Sequence, residues 1–308
     1  MRDAIVEAVG HSLPVPPDAI QRRGGTLFPG FVDAHVHLSL SSADAVARGG
    51  VTTVLDLGAP DAYAFAAHPP LTYRTAGPLL TAPGGYPTRS WGAGGYGLEI
   101  DGESEARSAV ARLADQGAAM IKVAIEPREG PVLALEILRA VTASAGKRSL
   151  RVAAHALDAA SVGIALQCGA GVLAHTPVDR LPDNLVRSLG AAGVTVVSTV
   201  RAFGAGKAAR HNLAALAAAG CPVAYGTDLG NGAIRPGLDT RELAIIAEAT
   251  GSISAALTAA TKGAGTVAGA RGNIFAGGPA DLVWTPERED VPGDRNEVWK
   301  DGARLPPS

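Results

Sequence analysis

Eight short apolar segments, separated by Ala-rich amphipathic stretches, constrain the fold of this chain more than any other feature. The apolar segments begin near Phe31, Val51, Leu71, Ala119, Leu150, Gly171, Val194 and Pro222. The amphipathic stretches span residues 103–116, 132–145, 156–168, 181–192, 208–219 and 238–250. Short apolar runs are typical of buried strands, and the longer amphipathic stretches are typical of helices. Their alternation predicts parallel strands joined by right-handed helical crossovers.

Eight such units within residues 28–272 predict an α/β fold of the (β/α)8 type, a TIM barrel, with an open doubly wound sheet as the alternative. Polar residues recur at the ends of the first, fourth, fifth, sixth and eighth apolar segments. Only a closed barrel would bring all of these ends together. The chain ends, 1–27 and 273–308, contain short β-like runs punctuated by Gly and Pro. We expect them to pair into a small, reduced β-sandwich domain beside the barrel.

Composition excludes several classes of protein. Hydrophobic residues make up 47% of the 308 residues and charged residues 18%, which is typical of a folded chain with a sizeable core. The net charge of −2 and the lack of basic runs give no support for binding to nucleic acid or to a membrane surface. The sequence contains neither a membrane-spanning apolar run nor a signal-peptide pattern at its start. Two isolated cysteines, Cys168 and Cys221, fit free thiols in a reducing cytoplasm.

Six polar residues end the strand-like segments and form a candidate metal site. They are His35, His37, Lys122, His155, His175 and Asp228. Side chains alternate along a strand, so the two histidines of a His-x-His motif lie on one face. Imidazole and carboxylate groups at converging strand ends are the ligands that a hydrolytic metal centre requires.

Each of these residues also has a structural interpretation. A lone His-x-His pair is compatible with two buried structural histidines, Lys122 with a surface lysine, and Asp228 with a turn cap. The recurrence of all six at matching strand ends favours the metal site. The remaining histidines, His11, His68 and His211, are expected to be structural or at the surface.

The motifs around these residues resemble the amidohydrolase superfamily over most of the chain. Residues 29–37, Pro-Gly-Phe-Val-Asp-Ala-His-Val-His, are similar to the strand-1 signature of that superfamily. Residues 50–58 resemble its strand-2 segment, and residues 280–283 and 298–302 resemble its C-terminal β segment. The imidazolonepropionase-like and prolidase-like members are the most similar in pattern. Two features depart from the usual pattern of that superfamily. Only 34 residues precede His35, which leaves little sequence for the N-terminal part of a β-sandwich. The loop after His37 is short, which leaves little sequence for a substrate contact from that loop.

This resemblance implies a metal-dependent hydrolase that cleaves a C–N bond, in an amide, peptide or cyclic amide, through a metal-activated hydroxide. It implies two divalent ions, with zinc as the expected metal and Mn, Co or Fe as alternatives. His35, His37 and Asp228 would hold one ion and His155 and His175 the other. A carboxylated Lys122 would bridge them, and Asp228, Lys122 and His175 would be the catalytic residues. A deaminase, a cyclase, a phosphoester hydrolase and a non-catalytic ligand-binding barrel remain alternatives.

The substrate is expected to be a small molecule, while the sequence leaves its identity and the formation of a homo-oligomer open. Barrel enzymes place recognition in the loops at the carboxyl ends of their strands. The longest such loop here runs from residue 81 to 99 and includes a GxGxxG-like stretch at 92–97, which is interpreted as flexible loop. The candidate substrate contacts are Tyr86, Arg89, Trp91, Arg201 and Asn231, with Tyr96 and Arg235 as further rim residues.

Overall fold

The computed structural model describes residues 1, 4–17, 19–286 and 296–307. Its strands are β1 (Thr26–Pro29), β2 (Phe31–Val36), β3 (Val51–Asp56), β4 (Thr72–Thr75), β5 (Leu79–Thr81), β6 (Gly97–Glu99), β7 (Ile121–Ala124), β8 (Val152–His155), β9 (Val172–Leu173), β10 (Thr195–Val197), β11 (Val223–Ala224), β12 (Leu282–Thr285), β13 (Glu297–Lys300) and β14 (Ala303–Arg304). Its helices are α1 (Ala43–Arg48), α2 (Asp61–Ala64), α3 (Glu103–Asp115), α4 (Leu135–Lys147), α5 (Ala159–Gln167), α6 (Asp183–Ala191), α7 (Lys207–Ala218), α8 (Thr240–Thr250), α9 (Ile253–Thr258) and α10 (Ala264–Ala268). None of the helices within these ranges has the length and apolar character needed to cross a membrane.

Two parallel sheets contain the strands that alternate with helices. One has seven strands in the order β11-β10-β9-β8-β7-β5-β6, and the other has three in the order β2-β3-β4. Every pairing within them is parallel. The predicted α/β class with parallel strands is therefore confirmed, and the arrangement is consistent with a TIM barrel.

Backbone hydrogen bonds join these two sheets. Ala119 N–H donates to the carbonyl of Thr75 at 2.8 Å beside β4 and β7. At the opposite edges, Ala34 N–H donates to Tyr225 at 3.1 Å, and Asp228 N–H donates to His35 at 2.8 Å. The two sheets are therefore in direct backbone contact at two places.

The third predicted strand is interrupted. The sequence predicts one strand near Leu71, whereas the structure has β4 and β5 in separate sheets with Gly77 and Pro78 between them. Gly77 adopts a φ of 71°, which is in the left-handed region, and proline has no N–H to donate to a ladder. The long loop between β5 and β6 has both of its ends held together, because Leu79–Thr81 pairs in parallel with Gly97–Glu99.

The two ends of the chain meet in one antiparallel sheet of order β1-β12-β13-β14. Thr26 pairs with Thr285, and Leu282 pairs with Trp299. Val283 and Val298 belong to the same buried cluster as Phe31, so this sheet packs directly on the strands of the larger fold. Strands from the two ends of the chain therefore pair as predicted, and they form one sheet. A second, facing sheet remains a prediction, and residues 287–295 of the predicted small domain lie outside the described residues.

Candidate metal centre

The carboxylate of Asp228 lies close to both histidines of the His-x-His motif. Its Oδ1 atom is 3.4 Å from His35 Nε2 and 3.3 Å from His37 Nε2. All three side chains are buried. Asp228 follows β11 with a φ of 57°, an uncommon conformation for a residue with a side chain. The Asn231 side chain donates a hydrogen bond to Asp228 Oδ2 at 3.0 Å, leaving Oδ1 directed at the histidines.

Backbone carbonyls fix the tautomers of His35 and His37. His35 Nδ1 is 2.8 Å from the carbonyl oxygen of Ala174, and His37 Nδ1 is 2.8 Å from that of Gly58. A carbonyl oxygen can only accept, so each Nδ1 must carry the proton and donate it. Each Nε2 is therefore the ring nitrogen left free for a metal, which is how metal-bound histidines are usually oriented.

A second pair of histidines lies opposite. His155 Nδ1 and His175 Nε2 are 3.0 Å apart, and His175 Nδ1 is 3.1 Å from the hydroxyl oxygen of Thr199. The other nitrogen of His155, Nε2, is 3.4 Å from Glu126 Oε2 without a hydrogen bond of normal geometry. Two imidazole nitrogens that face each other at this distance can serve as neighbouring ligands of one ion.

Strand alternation places Lys122 among these groups. Ile121 and Val123 belong to the buried cluster that includes the helices, whereas Met120 belongs to a separate cluster with Ala153. Lys122 therefore shares the face of Met120, and in the ladder it pairs with Ala153. Its side chain is 1% exposed. Burial lowers the pKa of Lys122 to about 7, so the site disfavours an ammonium group.

The donors of this site fit a divalent metal. Ligand atoms of His35, His175 and Asp228 lie within 4.8 Å of one another. Among the described residues, His35 Nε2 and Asp228 Oδ1 are buried without a hydrogen-bond partner. A buried polar atom left unpaired is costly, and coordination to a cation would offset that cost.

Electrostatics favour the protonation states that metal ligands need. Burial holds the pKa of His35 and His175 well below the usual value, so both imidazoles are neutral. Burial raises the pKa of Asp228, but its attraction to His35, His37 and His175 when those imidazoles are protonated holds that pKa well below its usual value. Against the effect of burial, Asp228 in turn raises the pKa of His37. Asp228 is therefore an ionised carboxylate surrounded by histidines.

Two further buried carboxylates orient the ligand-bearing segments. Asp33 Oδ1 accepts hydrogen bonds from the backbone N–H groups of His35 at 3.0 Å and Thr227 at 3.1 Å. Asp56 Oδ1 accepts from Gly58 N–H at 3.0 Å, and Asp56 Oδ2 accepts from Leu38 N–H at 2.9 Å. Sequence reasoning missed both residues. The signal was present, since Asp33 stands inside the motif and Asp56 ends an apolar strand, where an unpaired carboxylate would be costly.

One cavity of about 270 Å³ contains this constellation. Its lining includes all six predicted metal ligands, His35, His37, Lys122, His155, His175 and Asp228. The other lining residues are Leu40, Leu79, Tyr86, Trp91, Glu129, Leu157, Phe203, Gly230 and Asn231. The strand ends named by the sequence therefore meet at one pocket.

Three aromatic rings from two loops contact the histidines. Tyr86 stacks on His155 with ring centroids 4.5 Å apart. Trp91 meets His37 edge-on at 4.8 Å, and Phe203 meets His175 edge-on at 5.0 Å. Phe203 was missed, as were Leu157 and Glu129. They lie on short segments after strands β10, β8 and β7, where only the position in a barrel loop could have indicated them.

The predicted substrate contacts divide into two groups. Tyr86, Trp91 and Asn231 line the cavity, whereas Arg89 and Arg201 do not. The Arg89 guanidinium packs against Gly84. The Arg201 side chain forms an ion pair with Asp239.

The two further rim residues, Tyr96 and Arg235, are also not part of the cavity lining. Arg235 is exposed, and Tyr96 lies behind Trp91, where its hydroxyl is 2.7 Å from that of Ser39. The three other histidines take no part in the cavity: His68 stacks on Tyr63, and His11 and His211 are exposed.

Comparison with known proteins supports the family suggested by these residues. The sequence model of the amidohydrolase family matches residues 26–304. No curated protein matches the chain significantly. Among solved structures, a prolidase complexed with N-methylphosphonate-L-proline is 22% identical with a TM-score of 0.76, over 98% of this chain and 92% of that one.

Two other solved structures share the fold at similar identity. A Xaa-Pro dipeptidase with bound methionine in its active site is 19% identical with a TM-score of 0.80, over 98% of this chain and 93% of that one. The ochratoxinase of A. niger is 19% identical with a TM-score of 0.76, over 99% and 90%. These likenesses support the fold. Because the family match spans nearly the whole sequence, this chain belongs to the amidohydrolase family of hydrolytic enzymes.

Proposed function

We propose that this chain is a metal-dependent hydrolase that cleaves the C–N bond of a small amide, peptide or cyclic amide. The observation that carries the proposal is the convergence of His35, His37, Lys122, His155, His175 and Asp228 on one cavity. Imidazoles together with one ionised carboxylate are a ligand set for divalent metals. Family membership and the likeness to amide-cleaving enzymes favour C–N hydrolysis over the other chemistries that such a set permits.

Two divalent ions, with zinc as the first candidate, would be held by two groups of residues. His35, His37 and Asp228 would hold one, through the nitrogens and the oxygen that now face one another at 3.3–3.4 Å. His155 and His175 would hold the other. When bound, such ions lower the pKa of a water molecule and polarise the carbonyl group of a substrate.

Lys122 would bridge the two groups after carboxylation. A buried ammonium beside two cations would be strongly disfavoured, whereas a lysine that has reacted with CO2 is an anion with two oxygen ligands. The position of Lys122 on the inward face of β7, next to β8 with its His155, supports this assignment.

Asp228 would move the protons of the reaction. Its Oδ1 atom has no hydrogen-bond partner among the described residues and faces the space between His35 and His37. An ionised carboxylate in that place can accept a proton from the attacking water and deliver it to the leaving nitrogen. His175 would help to hold the scissile carbonyl, since its ring lies beside Asp228 and His155.

The scaffold proposed for this site is a closed eight-stranded barrel over residues 28–272. A small β domain from residues 1–27 and 273–308 would lie beside it. The backbone hydrogen bonds between the two sheets, beside β4 and β7 and between β2 and the end of β11, support closure. The antiparallel sheet formed by the two chain ends supports the small domain. The buried free thiols of Cys168 and Cys221 are compatible with a reducing compartment, and we assign the chain to the cytoplasm.

The direct test is hydrolysis by protein loaded with zinc. Xaa-Pro dipeptides and N-acyl amino acids should be assayed by mass spectrometry, because the compared structures include a prolidase and a Xaa-Pro dipeptidase. We expect cleavage of at least one amide class, and loss of that cleavage in Asp228→Asn. Protein that holds two metals but releases ammonia from amines or cleaves only phosphoesters would contradict the proposal.

A further inference from the structure

The cavity lacks a basic side chain that could receive an anionic substrate group. Apart from the histidines, the only basic residue among its described lining is Lys122, which the proposed function assigns to the metals. A small substrate with a carboxylate would normally be held by an arginine, through two parallel hydrogen bonds. Arg235, on the loop after β11, is exposed and is not among the described lining residues. Three other arginines of the loops around the cavity are Arg89, Arg128 and Arg201.

These arginines have other partners. Arg128 precedes Glu129 on the loop after β7, but its guanidinium forms ion pairs with Asp179 and Asp158. Arg201 pairs with Asp239, and Arg89 packs against Gly84. Their positive charges are thus held outside the lining.

Glu129 brings a negative charge to the same mouth. Its backbone N–H donates to the carbonyl of Glu126 at 3.2 Å, which closes a tight turn after β7. Arg128 and Glu129 point to different sides of this turn, since only Glu129 lines the cavity. Within the described part of the chain, no hydrogen bond or ion pair to the Glu129 carboxylate is found.

Aromatic rings line the same cavity as this carboxylate. The Trp91 indole donates to the Tyr86 hydroxyl at 2.9 Å, so the two rings form one wall of the cavity. Tyr86, Trp91 and Glu129 therefore all face the space that a substrate would occupy. Aromatic faces next to a carboxylate are a favourable environment for an organic cation.

We propose that the substrate carries a positive charge, an ammonium or guanidinium group, on the portion that lies against Tyr86 and Trp91, and that Glu129 receives it. This inference rests on the proposed function, because the metals would hold the scissile end of the same molecule. It specifies a cationic amide with an apolar or aromatic portion. It also predicts that free dipeptides, with a carboxylate at their end, bind less well than uncharged or basic amides.

The test uses hydroxamates, which bind divalent metals without being turned over. Zinc-loaded protein is titrated by calorimetry with benzohydroxamic acid and with its 4-aminomethyl, 4-hydroxymethyl and 4-carboxy derivatives. The aminomethyl form should bind about two- to fivefold more tightly than the hydroxymethyl form, as expected for one partly exposed charge pair, and the carboxy form should bind most weakly. In Glu129→Gln the preference for the cation should fall to near unity with metal content unchanged.

The matched control is Glu136→Gln, which removes an exposed carboxylate from the first turn of α4 outside the cavity and should keep the preference. In the unaltered protein the preference should also shrink as salt rises, because exposed charges are screened. Equal binding of the three derivatives, or tightest binding of the carboxy form, overturns the inference while the metal centre stands. A preference that persists in Glu129→Gln overturns the role of Glu129. If not even benzohydroxamic acid binds, the proposed metal centre fails, and the inference fails with it.

Discussion

Thr227 and Asp33 stand 194 positions apart in the chain and are joined by two hydrogen bonds. The Thr227 hydroxyl donates to Asp33 Oδ2 at 2.5 Å, and the Thr227 N–H donates to Asp33 Oδ1 at 3.1 Å. This contact ties the segment after β11 to β2, one residue before Asp228 and two before His35. The first and last ligands of the candidate centre are thereby held in register by a buried carboxylate that is not itself a ligand.

Removing that carboxylate should weaken metal binding. Asp33→Ala leaves the Thr227 and His35 N–H groups unpaired and frees Asp228 to shift. We expect metal affinity to fall by about 10- to 100-fold, as is usual for groups that orient ligands. Competition with a chromophoric chelator measures it. Asp115→Ala, at the exposed end of α3, is the control, and an unchanged affinity in Asp33→Ala would refute the positioning role.

Lys122→Ala should remove a covalent modification as well as a ligand. Protein incubated with 13C-bicarbonate and zinc should show a carbamate carbon signal by NMR, and the variant should lack it. Activity should be lost and partly restored by short carboxylic acids, since these can occupy the bridging place. Lys147→Ala, an exposed lysine at the end of α4, should behave like the unaltered protein. A labelled signal that survives in Lys122→Ala would rule out this residue.

Asp228→Asn should separate metal binding from proton transfer. The amide keeps the shape of the side chain and one oxygen toward His35 and His37, but it is not a base. Turnover should drop by roughly two to four orders of magnitude while metal is largely retained. Steady-state kinetics with metal analysis of the same sample measures both. Near-normal turnover would exclude the proton shuttle.

Trp91→Ala should weaken substrate binding without affecting metal content. The Trp91 ring covers His37 and supports Tyr86, and it is 42% exposed at the mouth. An aromatic contact of this kind contributes about two- to tenfold in binding. Arg89→Ala on the same loop is the matched control, and its KM should stay unchanged because Arg89 packs against Gly84 outside the lining. Equal effects of the two changes would show that the loop rearranges on binding.

The sequence was sufficient to predict the parallel α/β fold and the six candidate ligands that meet at the cavity. Both follow from local patterns: apolar strand segments, amphipathic helices and polar residues at the ends of five of the strand segments. His155 and Lys122 illustrate this, because alternation along β8 and β7 turns both toward the cavity. Their roles as metal ligands remain predictions.

What the sequence could not predict depends on contacts between distant segments. The pairing of Thr227 with Asp33 and the turn of Arg201 toward Asp239 are set by packing across the fold. The break between β4 and β5 had a local signal in Gly77-Pro78, but the assignment of the two pieces to different sheets did not. Arg89 was predicted at the rim for its charge, whereas the neighbouring glycine offers its guanidinium a surface outside the cavity.

The proposed hydrolysis depends on a binuclear metal centre, whose occupancy can be measured as metal content. Protein purified without chelators from metal-replete medium should contain two equivalents of divalent metal per chain by mass spectrometry. A structure of that sample should place them about 3.5–4 Å apart, as in bridged hydrolytic pairs. One equivalent or less under these conditions, with His155 and His175 free of metal, would contradict the account.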